Sequence, residues 1–170
     1  MKIAGDRPSQ DILRHREANE VSLADGSHEQ ARRLGQCVAE IFSRDAADFH
    51  YDTSDHEMIL QRRLLLSFTA TVGFEKFCRD DADCGIAQKA FLDTLREKSP
   101  ELYESSSDTG AFSFYYLAYR RGADVERRIG QTFAMLCSHD GDNVYQELGE
   151  ALYCWFSSVV KDHAEKLNLC

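Results

Sequence analysis

The fold is decided by residues 111–140, AFSFYYLAYRRGADVERRIGQTFAMLCSHD, which open with five aromatic rings in eight positions. Four of these rings recur at i, i+3, i+4 and i+7, so on a helix they would form one stripe. The four are Phe112, Tyr115, Tyr116 and Tyr119. Phe114, Leu117 and Ala118 cover part of the other side. Because apolar residues occupy so much of the circumference, the sequence predicts that the helix over 109–121 lies in the middle of a bundle.

Apolar residues at helical spacing continue through most of the rest of the chain. The sequence predicts further helices over residues 28–48, 55–79, 83–98, 125–140 and 143–167, with a short helix near 8–20. Capping boxes support two of these starts, with Ser27 ahead of Gln30 and Ser54 ahead of Glu57. No alternation typical of β-strands extends over any length. The predicted fold class is therefore all-α, a single-domain bundle of about six to seven helices without a β-sheet.

The composition fits one globular domain preceded by a polar arm. Hydrophobic residues make up 43% of the 170-residue chain, which is enough for a buried core, and only two prolines interrupt it. Residues 1–25 hold few apolar side chains, whereas the helical pattern is strong from residue 26 onward. We therefore expect an arm at 1–25 and one helical-bundle domain at 26–170.

Charge is distributed unevenly along the chain, which is acidic overall with a formal net charge of −9. Residues 111–139 contain four arginines, one Asp and one Glu, a local charge of +2, so the remainder carries −11 (−9 − 2). The overall acidity argues against non-specific nucleic-acid binding, which needs many basic groups facing phosphates. The local arginine cluster is predicted either to hold a small anion or to pair with carboxylates of the same chain.

Cysteine usage and the apolar runs bear on the compartment. Six cysteines are scattered through predicted helices, and the first ten residues are short of the apolar side chains of a secretory signal. A chain of this length builds a core without disulfides, so we interpret the cysteines as reduced thiols. The longest near-apolar run, residues 64–74, has 11 residues, too few for a membrane span. The sequence thus predicts a cytoplasmic protein with no membrane association.

The arginine cluster surrounds a predicted turn between two helices. Gly122 is placed for a left-handed helix stop, and Asp124 is placed as the N-cap of the next helix. One interpretation is a solvated salt-bridge network in which Asp124 pairs with Arg128 at i, i+4. The other is an anion pocket in which arginines fork onto a carboxylate or phosphate and a tyrosine supplies a hydroxyl. The candidate ligand-binding residues are Tyr115, Tyr119, Arg120, Arg121, Arg127 and Arg128.

Two further clusters contain residue types that bind divalent metals. Their candidate ligands are His50, Asp52, His56, His139 and Asp140. Most of these fall at predicted helix ends, where acidic residues commonly serve as caps. The Glu-x-x-His motif of helical di-iron bundles does not occur in the sequence. Metal-dependent helical phosphohydrolases use an adjacent His-Asp pair but also need an earlier histidine, and the nearest one, His56, lies 83 residues upstream of His139 (139 − 56).

The last predicted helix carries many apolar residues along one side, which we expect to be its buried face. These residues are Val144, Leu148, Ala151, Leu152, Trp155, Val159 and His163, broadened by Tyr145, Phe156 and Val160. If the protein dimerises, aromatic side chains of this helix, or the arm, are expected to bury area across a two-fold axis. The aromatic residues concerned are Tyr145, Tyr153, Trp155 and Phe156.

The sequence contains no nucleophile elbow, phosphate loop or dinucleotide fingerprint. We therefore expect a non-enzymatic helical-bundle protein that acts through association with itself or with a partner, and we expect no cofactor. One alternative is a small-anion or ligand sensor with an Arg/Tyr-lined pocket between the helices over 109–121 and 143–167. A second alternative is a metal-dependent hydrolase that uses the His and Asp residues named above.

Overall fold

The computed structural model describes the backbone of residues 10–48 and 55–170, with side chains from Asp25 onward except that of Thr109. Its helices are α1 Gln10–Asp48, α2 His56–Phe77, α3 Asp81–Lys98, α4 Pro100–Ser107, α5 Ser113–Tyr119, α6 Val125–Leu136 and α7 Asn143–Lys166, with a 3₁₀ turn at Thr109–Phe112. These two ranges contain seven α-helices and no strand, so the predicted all-α bundle is confirmed.

Helix α2 forms the centre of the bundle. Every residue from Leu64 to Phe74 is buried except Thr71, which is partly exposed, so the helix is covered on all sides. It packs against α7, α4, α3 and α6. The two-sided burial predicted for this helix is confirmed. The side chain of Asp55 caps the start of α2 by accepting a hydrogen bond from the Met58 backbone N–H. Within the described ranges, no helix combines the length and apolarity needed to cross a bilayer.

Helices α1 and α3 lie side by side and run in the same direction. Near the start of α3, Ser27 donates a hydrogen bond to the buried carboxylate of Asp83, and near its end the Lys98 Nζ lies 2.5 Å from a carboxylate oxygen of Glu40. The predicted helix start at Ser27 is wrong, because α1 is continuous from Gln10 and the Ser27 hydroxyl bonds across to α3 instead of capping. The division into an arm and a body stays a prediction.

Helix α5 packs by one face and leaves the other in solvent. The Phe68 ring of α2 contacts all four rings of the predicted aromatic stripe, with centroid separations of 5.1–6.0 Å. The side chains of Phe114 and Leu117 on the opposite face are 53% and 56% exposed. The prediction of a central position for this helix is therefore wrong. The longer apolar helix α2 takes the centre, and α5 covers one side of it.

Helix α7 also has two apolar faces, of which only one is buried. Leu152, Phe156 and Val160 lie in the core, while Val144 is 72% and Trp155 is 40% exposed. The prediction that all of these residues share one buried side is wrong. Apolar spacing identifies a helix with two stripes, but it does not decide which stripe faces the core.

Candidate functional site

The turn between α5 and α6 holds the arginine cluster. Gly122 adopts φ +89°, so the predicted left-handed stop is confirmed. Asp124 also lies in the left-handed region, at φ 57°, and its side chain makes no capping hydrogen bond, so its predicted capping role is wrong. The Arg128 Nη1 instead donates to the backbone carbonyl of Arg121 at 3.1 Å. This bond holds Arg128 across the turn and brings the two guanidinium-bearing residues together.

A cleft of about 440 Å³ opens between α5 and α6 beside this turn. Its lining residues are Phe114, Leu117, Ala118, Arg121, Arg128, Gln131, Thr132, Met135 and Asp140. Phe114, Leu117 and Met135 form its apolar part, and Met135 is 41% exposed. Three large apolar side chains left in water at one place are a common mark of a binding surface.

The cleft combines this apolar part with positive charge. Arg121 is exposed and Arg128 is half-buried. Among the described residues, no carboxylate forms an ion pair with either guanidinium; Asp140 lines the same cleft without pairing to them. The expected ion pair between Asp124 and Arg128 is likewise not formed, since Arg128 bonds to a carbonyl. Most guanidinium N–H donors therefore remain available to a bound group.

The structure separates the sequence-predicted ligand residues into two groups. Arg121 and Arg128 line the cleft, whereas the Arg120 guanidinium lies over the Tyr116 ring, 5.4 Å from its centroid. Arg127 is exposed on α6 outside the cleft lining, and Tyr119 is half-buried against Phe68. The structure places the arginine cleft between α5 and α6, and α7 contributes no lining residue to it.

Tyr115 does not line the cleft and lies in the core against α2. Its side chain is fully buried, and its hydroxyl donates to Gln61 Oε1 at 3.4 Å. Burial raises the pKa of this hydroxyl well above its ordinary value, so it remains protonated. Tyr115 therefore stabilises the junction of α5 with α2.

Phe114, Leu117 and Met135 are the large apolar cleft residues, and the sequence alone did not suggest a binding role for them. Phe114 and Leu117 stand apart from the aromatic stripe, and this offset is the signal that indicates a second face on α5. Met135 falls outside the buried stripe of α6 in the same way. Nothing in the sequence alone indicates that the two surplus faces meet in one cleft.

His139 belongs to a separate cluster that joins three parts of the chain. Its ring stacks on that of Tyr145, with centroids 3.8 Å apart and an interplanar angle of 10°. The Tyr145 hydroxyl donates to Asp55 Oδ2 at 2.8 Å, and His139 Nε2 lies 3.9 Å from the same oxygen. The hydrogen bond to the carboxylate raises the pKa of Tyr145 to about 12. This arrangement connects the cap of α2 to the start of α7.

The remaining metal candidates are not brought together. His50 and Asp52 lie outside the described residues, and His56 is exposed at the first position of α2. Asp140 lines the α5–α6 cleft, whereas the His139 ring stacks on Tyr145. In the described part of the chain, no group of three or more His, Cys, Asp or Glu side chains could hold a metal ion.

No protein-family model matches the sequence, and comparisons with curated proteins and with solved structures likewise return no match.

Proposed function

We propose that this protein acts by association, and that the α5–α6 cleft binds an acidic amphipathic helical segment of a partner protein. The observation that carries the proposal is the joint presence of three exposed apolar side chains and two arginines in one cleft. Amphipathic helices bind such grooves by placing apolar residues at i, i+3, i+4 and i+7 inside and polar residues along the rim.

The charge of the molecule supports an acidic occupant. The stretch 111–139 carries +2 while the rest of the chain carries −11, so the cleft lies in a basic stretch of an acidic sequence. Carboxylates on the partner would be attracted to Arg121 and Arg128 and repelled elsewhere on the surface. Arginine suits this role because its planar fork binds a carboxylate with two hydrogen bonds.

The chain's own N-terminal stretch is a poorer match for the cleft than an acidic partner. Residues 1–25 contain four basic and five acidic residues and are therefore nearly neutral. Their basic side chains would be repelled by Arg121 and Arg128. Charge complementarity thus favours a separate, more acidic segment.

A reducing compartment is part of the proposal. All six cysteines are unpaired, and Cys154 and Cys170 are exposed. Free thiols on a protein surface are compatible with a reducing environment and would be oxidised outside one. We therefore place the association in the cytoplasm.

The proposal is tested by selecting ligands without assuming the partner. Short helical peptides are selected from a display library against the immobilised protein, and the dissociation constants of enriched peptides are measured in solution. We expect enriched sequences to carry apolar residues at helical spacing next to Asp or Glu. The double variant Arg121→Glu/Arg128→Glu should weaken their binding about tenfold or more, because each partly exposed charge contact contributes up to roughly 1 kcal/mol and is reversed.

The matched control is Arg33→Glu/Arg127→Glu, which changes the net charge equally but lies outside the cleft lining. We expect this variant to retain binding within about threefold, since screened charges outside a contact contribute little. Enriched peptides without acidic residues, or equal weakening by both double variants, would contradict the proposal.

A small amphipathic anion is the second candidate occupant. The cleft volume of about 440 Å³ lies in the range of small-molecule sites, roughly 300–1,000 Å³. A carboxylate ligand with an apolar body would place its charge at Arg128 and its body against Phe114 and Leu117.

Thermal shift with a panel of alkyl carboxylates, aromatic carboxylates and nucleotides tests this candidate. A bound member raises the melting temperature, and the increase should disappear in Arg128→Gln but persist in Arg127→Gln. If no member raises the melting temperature, or if both variants behave alike, the small-anion candidate is rejected and the peptide result stands independently.

A further inference from the structure

Helix α7 presents an apolar stripe to solvent on the side away from its core face. Val144, Leu148 and Trp155 are 72%, 37% and 40% exposed, and Ala151 between them is exposed as well. Their spacings of four, three and four residues are those of alternating a and d positions in a coiled coil. The stripe covers eleven residue steps, or about 17 Å of helix.

We infer that this stripe, the α7 seam (Val144, Leu148, Ala151 and Trp155), pairs with the α7 seam of a second copy of the chain in antiparallel orientation. The inference is independent of the α5–α6 cleft, because none of the seam residues lines that cleft.

The sizes of the seam residues are complementary in the antiparallel orientation. When Leu148 lies opposite the partner's Ala151, Val144 lies opposite the partner's Trp155, so each large side chain meets a smaller one. The two-fold axis then passes between Leu148 and Ala151, and each contact occurs twice. Parallel pairing would instead place the two Trp155 rings against each other and leave the two alanines facing across a gap.

The charges beside the seam favour the same orientation. Lys161 lies on α7 beyond Trp155, and the exposed Asp140 and Asp142 lie just before the helix. Antiparallel pairing carries each Lys161 towards the acidic turn of the other copy, whereas parallel pairing would bring each Lys161 towards Lys166 of the other copy, a like charge. Lys161 Nζ lies 3.6 Å from Glu165 Oε1 of its own helix. Because this ion pair is exposed, breaking it to form one with the other copy costs little free energy.

The extent of the seam sets the strength of the association. Four side chains along one helix bury less than the roughly 1,200 Å² of a standard stable interface. The dimer should therefore be in equilibrium with the monomer and form in the micromolar range or above, not as an obligate pair.

Sedimentation velocity across micromolar to near-millimolar concentrations tests the inference, with fluorescence as a local readout. Trp155 is the single tryptophan, so its emission reports directly on the seam. We expect the sedimentation coefficient to rise with concentration towards that of a dimer while the emission shifts to shorter wavelength. Ala151→Glu should raise the dissociation constant at least about tenfold, because it buries a charge at the axis.

The control variant is Leu117→Glu, which places the same change on the exposed face of α5. It should leave dimerisation unchanged and weaken only the peptide binding proposed for the cleft. Circular dichroism and the melting temperature show that both variants fold, as expected for substitutions at exposed positions. A monomer at every concentration, or a dimer that Ala151→Glu does not weaken, would overturn the inference.

A cross-link tests the orientation. In the antiparallel register, residue 147 of one copy faces the partner's Cys154. The Glu147→Cys variant should therefore form an intermolecular disulfide between residue 147 and the partner's Cys154, with oxidised glutathione accepting the two electrons. The double variant Glu147→Cys/Cys154→Ser should not cross-link. Both variants carry Cys170→Ser, because Cys170 is also exposed. Cross-linking that persists without Cys154 would then contradict the proposed register.

Discussion

Tyr145 connects three parts of the chain through one hydroxyl and one ring. Its hydroxyl donates to the Asp55 carboxylate that also accepts the Met58 N–H at the start of α2. Its ring stacks on His139 in the turn before α7. The His139 side chain thus has a packing role that explains its position without invoking a metal.

Replacing the tyrosine hydroxyl tests this role. We expect Tyr145→Phe to lower the free energy of unfolding by about 1–2 kcal/mol, because it removes a hydrogen bond to a charged, partly buried acceptor. Urea denaturation measures the change. The matched control is Tyr103→Phe, which removes the exposed hydrogen bond from Arg96 at 2.8 Å and should cost less than about 0.5 kcal/mol. Equal losses in the two variants would contradict the role given to Tyr145.

The pH dependence of stability follows from Asp55. The Met58 backbone N–H and then the Tyr145 hydroxyl hold the pKa of this carboxyl below its ordinary value. A carboxyl with a depressed folded-state pKa contributes stability above its unfolded pKa, and this contribution is lost as the pH falls through the folded value.

Asp55→Asn should therefore differ most from the natural protein at neutral pH. We expect the difference in unfolding free energy to shrink as the pH falls below about 4, where the carboxyl of the unfolded chain takes up a proton. The difference should level off once the pH is below the depressed pKa of the folded state. Denaturation series at several pH values measure it. A difference that stays constant down to strongly acidic pH would show that the ionised carboxylate is not what stabilises α2.

Close packing at glycine defines how the helices meet. A Cβ added at Gly35 of α1 would collide with the Ala87 carbonyl oxygen and lie 2.9 Å from the Phe91 backbone nitrogen of α3. The two backbones therefore approach each other directly at this point. Helix α3 contains a second glycine, Gly85, where an added Cβ meets nothing within 4 Å.

These two glycines give a matched pair of substitutions. Gly35→Ala should destabilise the protein by about 2–3 kcal/mol, because a methyl group there forces the two backbones apart. Gly85→Ala should stabilise it by about 0.5–1 kcal/mol, since alanine is the better helix former in open space. Thermal or urea unfolding of both variants gives the comparison. A change in unfolding free energy of the same sign in both variants would contradict the close approach of α1 and α3.

Local signals in the sequence predicted well where the helices lie, but they predicted less well which face of each helix is buried. Helix ends depend on short-range chemistry, and Gly122 was correctly predicted as a left-handed stop. Ser27 looked like a cap but donates across to Asp83, a partner 56 residues away that no local pattern reveals. Likewise, the exposure of Val144 and Trp155 is decided by which neighbouring helices cover α7. Such choices are tertiary and are not encoded in the period of one helix.

At the scale of the molecule, an acidic protein presents two arginines beside three exposed apolar side chains in one cleft. The candidate site could be predicted only in part: Arg121 and Arg128 were found from their charge, while Met135 entered through the packing of α6 beside α5. The proposed partner contact combines burial of apolar side chains with charge attraction. These two contributions respond differently to salt.

The salt dependence of peptide binding separates the contribution of charge attraction from that of apolar burial. We expect the affinity for an enriched acidic peptide to fall several-fold between low salt and about 0.5 M salt, because exposed ion pairs are screened. The residual affinity at high salt should be lost in Leu117→Glu, which places a charge on the apolar part of the cleft. Binding that is indifferent to salt would argue against a role for the two arginines.

The most direct measurement of the central claim uses the methionine methyl groups. The chain has three methionines, of which Met135 lines the cleft and Met58 is buried in the first turn of α2. With methyl-labelled methionine, an enriched acidic peptide should shift the Met135 resonance and leave that of Met58 unchanged. A spectrum in which the peptide binds but the Met135 resonance stays in place would contradict binding at the α5–α6 cleft.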